Sequence, residues 1–365
     1  MKKQLSLITS GLILSSSLAF GANSFEEALK SGTVNGSLEM YGIKTDNKGG
    51  NKDTGFISGT VGLSYETDSF KGFSAKVGFI GAHVFDDKND GAEEVEGKAL
   101  MNVANIKYET EGFLIKAGRQ NVNLEWMTDY HEAVIAEITS IPNTSILLGY
   151  SDKIALADAD ELSETFEEVN GSKGIYVADV IYQGISDLDL NPYYYTAPDM
   201  GDLYGMKVAY YFDDVELSAQ YAKSKEDTAS GYKDGSIAHV NIDTSLMGVN
   251  LSAGYVKTDK DGTGSIISEL ELGDNISPFE DGNYIYDEDA RTVYGSASYS
   301  IDDIAFGALY GETKYADEKE KELNLSAEIE IVEDVIELEA LFVKVDAQNS
   351  DDDYNKFILE VEYSF

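Results

Sequence analysis

The segment KFILEVEYSF, residues 356–365, decides the fold. Phe357, Leu359, Val361, Tyr363 and Phe365 alternate with Ile358, Glu360, Glu362 and Ser364. Successive side chains of a strand point to opposite faces, so the first set makes an apolar face and the second a mostly polar one. Such a strand at the free edge of a soluble sheet is a template for aggregation. Pairing with the first strand, expected near residues 33–43, closes the sheet and removes that edge.

The same alternation runs upstream through most of the chain. Leu323, Leu325, Ala327, Ile329 and Ile331 oppose Asn324, Ser326, Glu328 and Glu330. Val215, Leu217, Ala219 and Tyr221 oppose Glu216, Ser218 and Gln220, and Met247, Val249, Leu251, Ala253 and Tyr255 oppose Gly248, Asn250, Ser252 and Gly254. A two-sheet sandwich would turn such faces onto a core and a membrane barrel would turn them to lipid, so one segment cannot separate the two. The connections do. Tight turns near 67–71, 110–111, 142–143, 184–187, 213–214, 243–245, 302–303 and 333–334 alternate with mostly longer, acidic loops at 46–53, 86–98, 120–131, 156–171, 198–201, 225–234, 258–290, 316–319 and 346–353. Short periplasmic turns opposite longer external loops are the outer-membrane pattern. The expectation is an all-β, transmembrane antiparallel β-barrel of about 18 strands, with about 16 as the alternative count.

The start of the chain fits export. Residues 1–22 read as a cleavable signal peptide, with Lys2 and Lys3 before an apolar stretch and small residues at Ala19, Gly21 and Ala22. Beyond it no run of about 18 apolar residues could span a membrane as a helix. Residues 23–365 are then a single barrel domain. Ser24-Phe25-Glu26-Glu27 has the pattern of a capping box, which predicts a short helical turn within 24–30.

Charge excludes one function class. The chain carries 67 Asp and Glu against 27 Lys and Arg, a formal net charge of −40, and loses two more positive charges with the signal peptide. Nucleic-acid binding needs a basic face to neutralise phosphates. An acidic chain can also be disordered, but 24 Tyr and 15 Phe on alternating faces argue for order. The absence of cysteine is compatible with a barrel, whose closure needs no disulfide.

The signal peptide, SFEEALKSGTVNGSLEMY (24–41), KAGRQN (116–121) and the closing FILEVEYSF together resemble the OprD-type porins and the major outer membrane porins of Campylobacter and its relatives. The resemblance is one of layout over nearly the whole mature chain. It implies an outer-membrane location, 18 strands, a constriction built by the third external loop, and a homotrimer. OprD-type channels favour basic amino acids and use a ladder of lumen arginines. Arg119 and Arg291 are the only arginines here, so a general diffusion channel for small hydrophilic solutes fits better than a dedicated basic-amino-acid pathway.

A barrel of this size leaves an aqueous lumen, and selectivity comes from its narrowest, charged part. The third loop, 120–131, and its flanks supply the candidate eyelet: Lys116, Arg119, Glu125, Trp126, Asp129, His131 and Glu132. Carboxylates on the loop would face basic groups on the wall, and Trp126 would wedge the loop in place or sit in an interface belt. The acidic balance predicts cation preference. No resident cofactor is expected. Asp259 and Asp261 imitate the start of a calcium loop, but Leu270 stands at the twelfth position. Loosely held Ca²⁺ or Mg²⁺ bridging acidic loops to lipopolysaccharide phosphates is the broader expectation. His83, His131 and His239 lack metal-ligand spacing. An enzyme barrel would need a nucleophile or paired carboxylates with a positioned base. The remaining alternative is a structural or adhesive surface barrel, with 258–290 as its contact loop.

Overall fold

The computed structural model describes residues 21–365 apart from 229, 271 and 334. The signal peptide therefore lies outside the described residues except for Gly21 and Ala22. Ser24 caps a helical turn, Phe25–Lys30, its hydroxyl accepting the Glu27 N–H at 3.1 Å. From Thr33 onward the chain is a barrel.

Among the described residues, eighteen strands follow one another, each antiparallel to its predecessor. The first, Thr33–Asn47, pairs with the second, Thr54–Glu66, and also with the last, Tyr354–Ser364. Ser37 faces Ser364 and Asn47 faces Tyr354, so the sheet closes along the whole length of its last strand. A further strand of two residues, Glu167–Glu168, lies inside an external loop and adds to Lys153 and Ile154.

Alternation sorts the side chains as the sequence predicts. Val61 is 59 % exposed on the outer face, whereas its neighbour Thr60, on the lumen side, is 3 % exposed. On the last strand Phe357, Leu359 and Tyr363 point out while Ile358 is buried. The greasy faces do not meet in a dry two-sheet core. They form the outside of a tube, which only lipid can cover.

One turn departs from expectation. The tight turn read at 243–245 lies at Met247-Gly248, between Ser236–Leu246 and Val249–Thr258. Both residues have positive φ, 55° and 82°, the signature of the two-residue hairpin turn that matches strand twist. Gly248 adopts this conformation at no steric cost, so the polar Asp243 and Ser245 stay in the ladder. Met247 is therefore the tip of the turn, 93 % exposed, and not part of the outer face.

Two external loops, 122–129 and 259–290, fold into the barrel. They bring Leu124, Trp126, Met127, Leu272, Ile276, Phe279 and Ile285 into one apolar cluster with wall residues such as Ile135, Val177, Tyr195, Leu203, Ile237 and Val256. Full burial of each such side chain contributes about 1.5–3 kcal/mol, so the loops are part of the folded structure. The loop read as an external contact surface is an interior plug.

Candidate pore constriction

The third loop is shorter than its sequence outline. Phe113–Asn121 and Tyr130–Ile138 are strands, leaving 122–129 as the turn of chain between them. Gln120 and His131 face each other in the ladder and both side chains point inward. His131 is held at both ring nitrogens, Nε2 donating to the Thr128 carbonyl at 2.7 Å and Nδ1 meeting Ser151 Oγ at 2.9 Å.

Glu125 and Lys207 pin the loop to the opposite wall. Lys207 Nζ lies 3.0 Å from Glu125 Oε2, with side chains 8 % and 3 % exposed. Here a loop carboxylate faces a basic wall group, and the pair lies in the plug and not against the open bore. Lys207 alternates with Met206 and Val208 on Gly201–Phe212. Its lumen-facing position was therefore readable from the sequence, although its partner was not. Trp126 is buried beside it in the apolar cluster, its backbone N–H directed at Tyr195 OH.

The other candidates fall in different places. Arg119 and Glu132 do meet, at 3.6 Å, with Lys153 on the same carboxylate oxygen and Phe166 under the guanidinium. Their strand positions alternate with the inward Gln120, His131 and Ala133, and Phe166 is buried with Ile80, Leu100 and Leu162 where the 156–171 loop packs on the wall. Lys116 lies opposite Lys107, which pairs with Glu66 and Glu109 near the tight-turn end. Asp129 takes a left-handed φ of 73° and accepts a hydrogen bond from Thr128 Oγ1.

The long loop is tied to the third one. Asn275 donates through its backbone to the Glu125 carbonyl and through its side chain to the Leu124 carbonyl, and Thr128 N–H donates to the Leu272 carbonyl at 2.7 Å. Gly273, at φ +79°, lies where the two loops cross, and a Cβ there would collide with the Thr128 hydroxyl. Farther along, Glu322 accepts the N–H groups of Asp281 and Gly282, and Glu320 accepts from Asn283. Asp261 is held by Lys233 and Lys260, and among the described residues no group of three His, Asp or Glu could hold a metal ion.

Open space remains on the other side of the lumen. A cavity of about 920 Å³ lies between the tip of the long loop and the first, second and last strands. Loops contribute Glu94, Asp160, Glu161, Glu280 and Asp281 to its lining, and strands contribute Glu337, Glu339 and Glu360. Lys356 is the one basic residue among the described lining residues, and it pairs with Asp281. The loop that carries Asp160 is itself folded in: Ser58 Oγ donates to the Ala159 carbonyl, and Leu162 N–H donates to the Glu94 carbonyl at 3.0 Å.

So many carboxylates in one narrow space raise each other's proton affinity. Burial pushes Glu161 up to about 7, with Asp160, Glu94, Asp129 and Asp158 adding to the effect. Asp160 and Glu280 are raised for the same primary reason. None of the seven candidates borders this cavity, but Asp129 is near enough for its charge to act on both Asp160 and Glu161. The carboxylates at 94, 160–161 and 280–281 lie in loops whose inward folding no local pattern announces.

A closed barrel with a lipid-facing outer surface and a loop-narrowed lumen defines an outer-membrane β-barrel protein. Residues 23–215 match the model of the family described as "Putative outer membrane protein", and the chain belongs to that family. Its location is the outer membrane. No curated protein matches the chain by sequence. Among solved structures the fold is similar to Acinetobacter baumannii OccAB2 (TM-score 0.79, 13 % identity, 93 % of this chain and 99 % of that one). It is also similar to Acinetobacter baumannii OccAB4 (TM-score 0.77, 13 % identity, 92 % and 98 %). A third similar structure is Pseudomonas aeruginosa OpdK with vanillate (TM-score 0.71, 13 % identity, 91 % and 98 %).

Proposed function

We propose that the protein is a passive diffusion channel with a preference for small hydrophilic cations. The observation that supports this reading is the ring of carboxylates around the open cavity, opposed by Lys356 alone and with that lysine already paired. Acidic groups at a constriction raise the local cation concentration and repel anions. Charges on the external surface act little beyond about 10 Å at ordinary salt, so the lining groups set the preference. The third loop contributes from behind: anchored by Glu125 and Trp126, it fills one side of the lumen and confines the water path to the acidic side.

A second reading is uptake of a specific cationic solute, as the OprD-type resemblance implies. Tyr41, Phe279 and Tyr354 border the same cavity as the carboxylates, and aromatic faces with carboxylates suit an organic cation. A negatively charged aromatic acid such as the vanillate present in the OpdK structure would meet repulsion here.

Reversal potential in a salt gradient tests the proposal. The wild type is expected to favour K⁺ over Cl⁻, and the variant Asp160→Asn/Glu161→Gln/Glu280→Gln to lose most of that preference. An anion-selective wild type, or a variant with unchanged selectivity, would overturn it. Block of the current by millimolar free lysine would favour the second reading.

A further inference from the structure

We propose that four basic residues on the outer face, Lys257, Arg291, Lys314 and Lys319, form a binding site for a phosphorylated lipid headgroup of the outer leaflet, of the lipid A class. The four lie side by side on four consecutive strands. Lys257 is directly opposite Arg291, Arg291 opposite Lys314, and Lys314 opposite Lys319. Directly paired residues point to the same face. That face is the outside, because the flanking Val256, Thr258, Thr292, Thr313 and Glu320 are all buried toward the lumen. All four basic residues are exposed.

Like charges directly opposite one another destabilise a sheet. Three such pairs in a row, in a chain with few basic residues, would be relieved by an external counter-charge. Internal acids answer only part of it, with Glu312 serving Lys314 and acting at longer range on Lys319. Arg291 pairs with Asp289 at 3.0 Å and Lys314 with Glu312 at 3.1 Å, both in exposed geometries. Lys257 and Lys319 make no ion pair among the described residues.

Height on the barrel selects the ligand. The row lies at the long-loop end; the next row of the outer face holds Tyr255 and Val293 beside the Glu312–Lys321 pair, and the one below that turns apolar with Tyr310 and Leu323. A row of cations within two ladder positions of a lipid-facing belt is where the phosphates of an acylated headgroup lie when its chains pack against that belt. A phosphate accepts several charge-assisted hydrogen bonds at once, and these exceed neutral ones in strength. The site lies outside the bore and is independent of the selectivity proposed above.

Native mass spectrometry of the full chain in detergent, with diphosphoryl lipid A as the probe, tests the site. The wild type is expected to retain the lipid, with weaker retention of the monophosphoryl form and no competition from millimolar inorganic phosphate. The variant Lys257→Gln/Arg291→Gln/Lys314→Gln/Lys319→Gln should lose affinity on the order of tenfold. Replacing the three lysines by arginine should preserve it. Unchanged single-channel conductance of the neutral variant reports that the barrel is intact. If the neutral variant does not assemble, Lys257→Gln/Lys319→Gln serves in its place with a smaller loss expected. Equal lipid affinity in wild type and variant would overturn the proposal. So would complete competition by inorganic phosphate, or a fall in oligomer size with lipid retention intact, which would mark the row as a subunit contact.

Discussion

Glu161 is a cavity-lining carboxylate with a strongly raised proton affinity. Its carboxyl is raised to about 7 first by burial and then by the acids around it. A raised carboxylate is neutral below that value and charged above it. Cation preference should therefore weaken as pH falls from about 8 to about 6 and recover on return. Reversal potentials across that range check this, and Glu161→Gln should flatten the profile at the weaker value. A wild-type profile already flat would contradict the assignment. The acidic excess was legible in composition, and it carried the expectation of cation preference. Which acids line the cavity was not legible. Asp160 and Glu161 read as an ordinary loop, and only the contacts of Ala159 with Ser58 and of Leu162 with Glu94 carry them inward.

At the scale of elements, strands and loops differ in how openly they declare themselves. A strand's environment repeats every second residue, so its outer and inner faces can be read locally; the last strand is the clearest instance. A loop's course depends on distant partners. The third loop owes its position to Lys207, 82 residues away, and the long loop owes its position to Glu320 and Glu322 on the wall. The Met247-Gly248 turn was misplaced for a smaller reason, since polar residues at 243–245 imitate a turn while the left-handed pair that makes it follows two residues later. The Glu125–Lys207 pair gives the anchoring a measurable size. Glu125→Ala leaves a buried ammonium without its partner, a change that costs about 3–5 kcal/mol. The loop should then detach in part, seen as faster proteolysis within 122–129 and a noisier, larger single-channel current. Substituting both partners with apolar residues, as in Glu125→Leu/Lys207→Met, should restore much of the wild-type behaviour.

For the whole molecule, the barrel supplies a tube and the inward loops decide which part of it stays wet. One side of the lumen is closed by apolar packing around Trp126, Leu203 and Leu272, while the other keeps an open cavity lined by Asp160, Glu161, Glu280 and Glu360. The natural absence of cysteine makes this division directly testable. Single cysteines at Glu161, Glu360, Leu203 and Val256 can each be challenged with a charged thiol reagent while current is recorded across a planar bilayer. Cysteine at the first two positions should react quickly and step the conductance down, with a positively charged reagent faster than a negative one. Cysteine at the last two should stay inert in the folded channel. Rapid modification at Leu203→Cys and Val256→Cys, with none at Glu161→Cys and Glu360→Cys, would place the water path on the wrong side of the barrel and contradict the account.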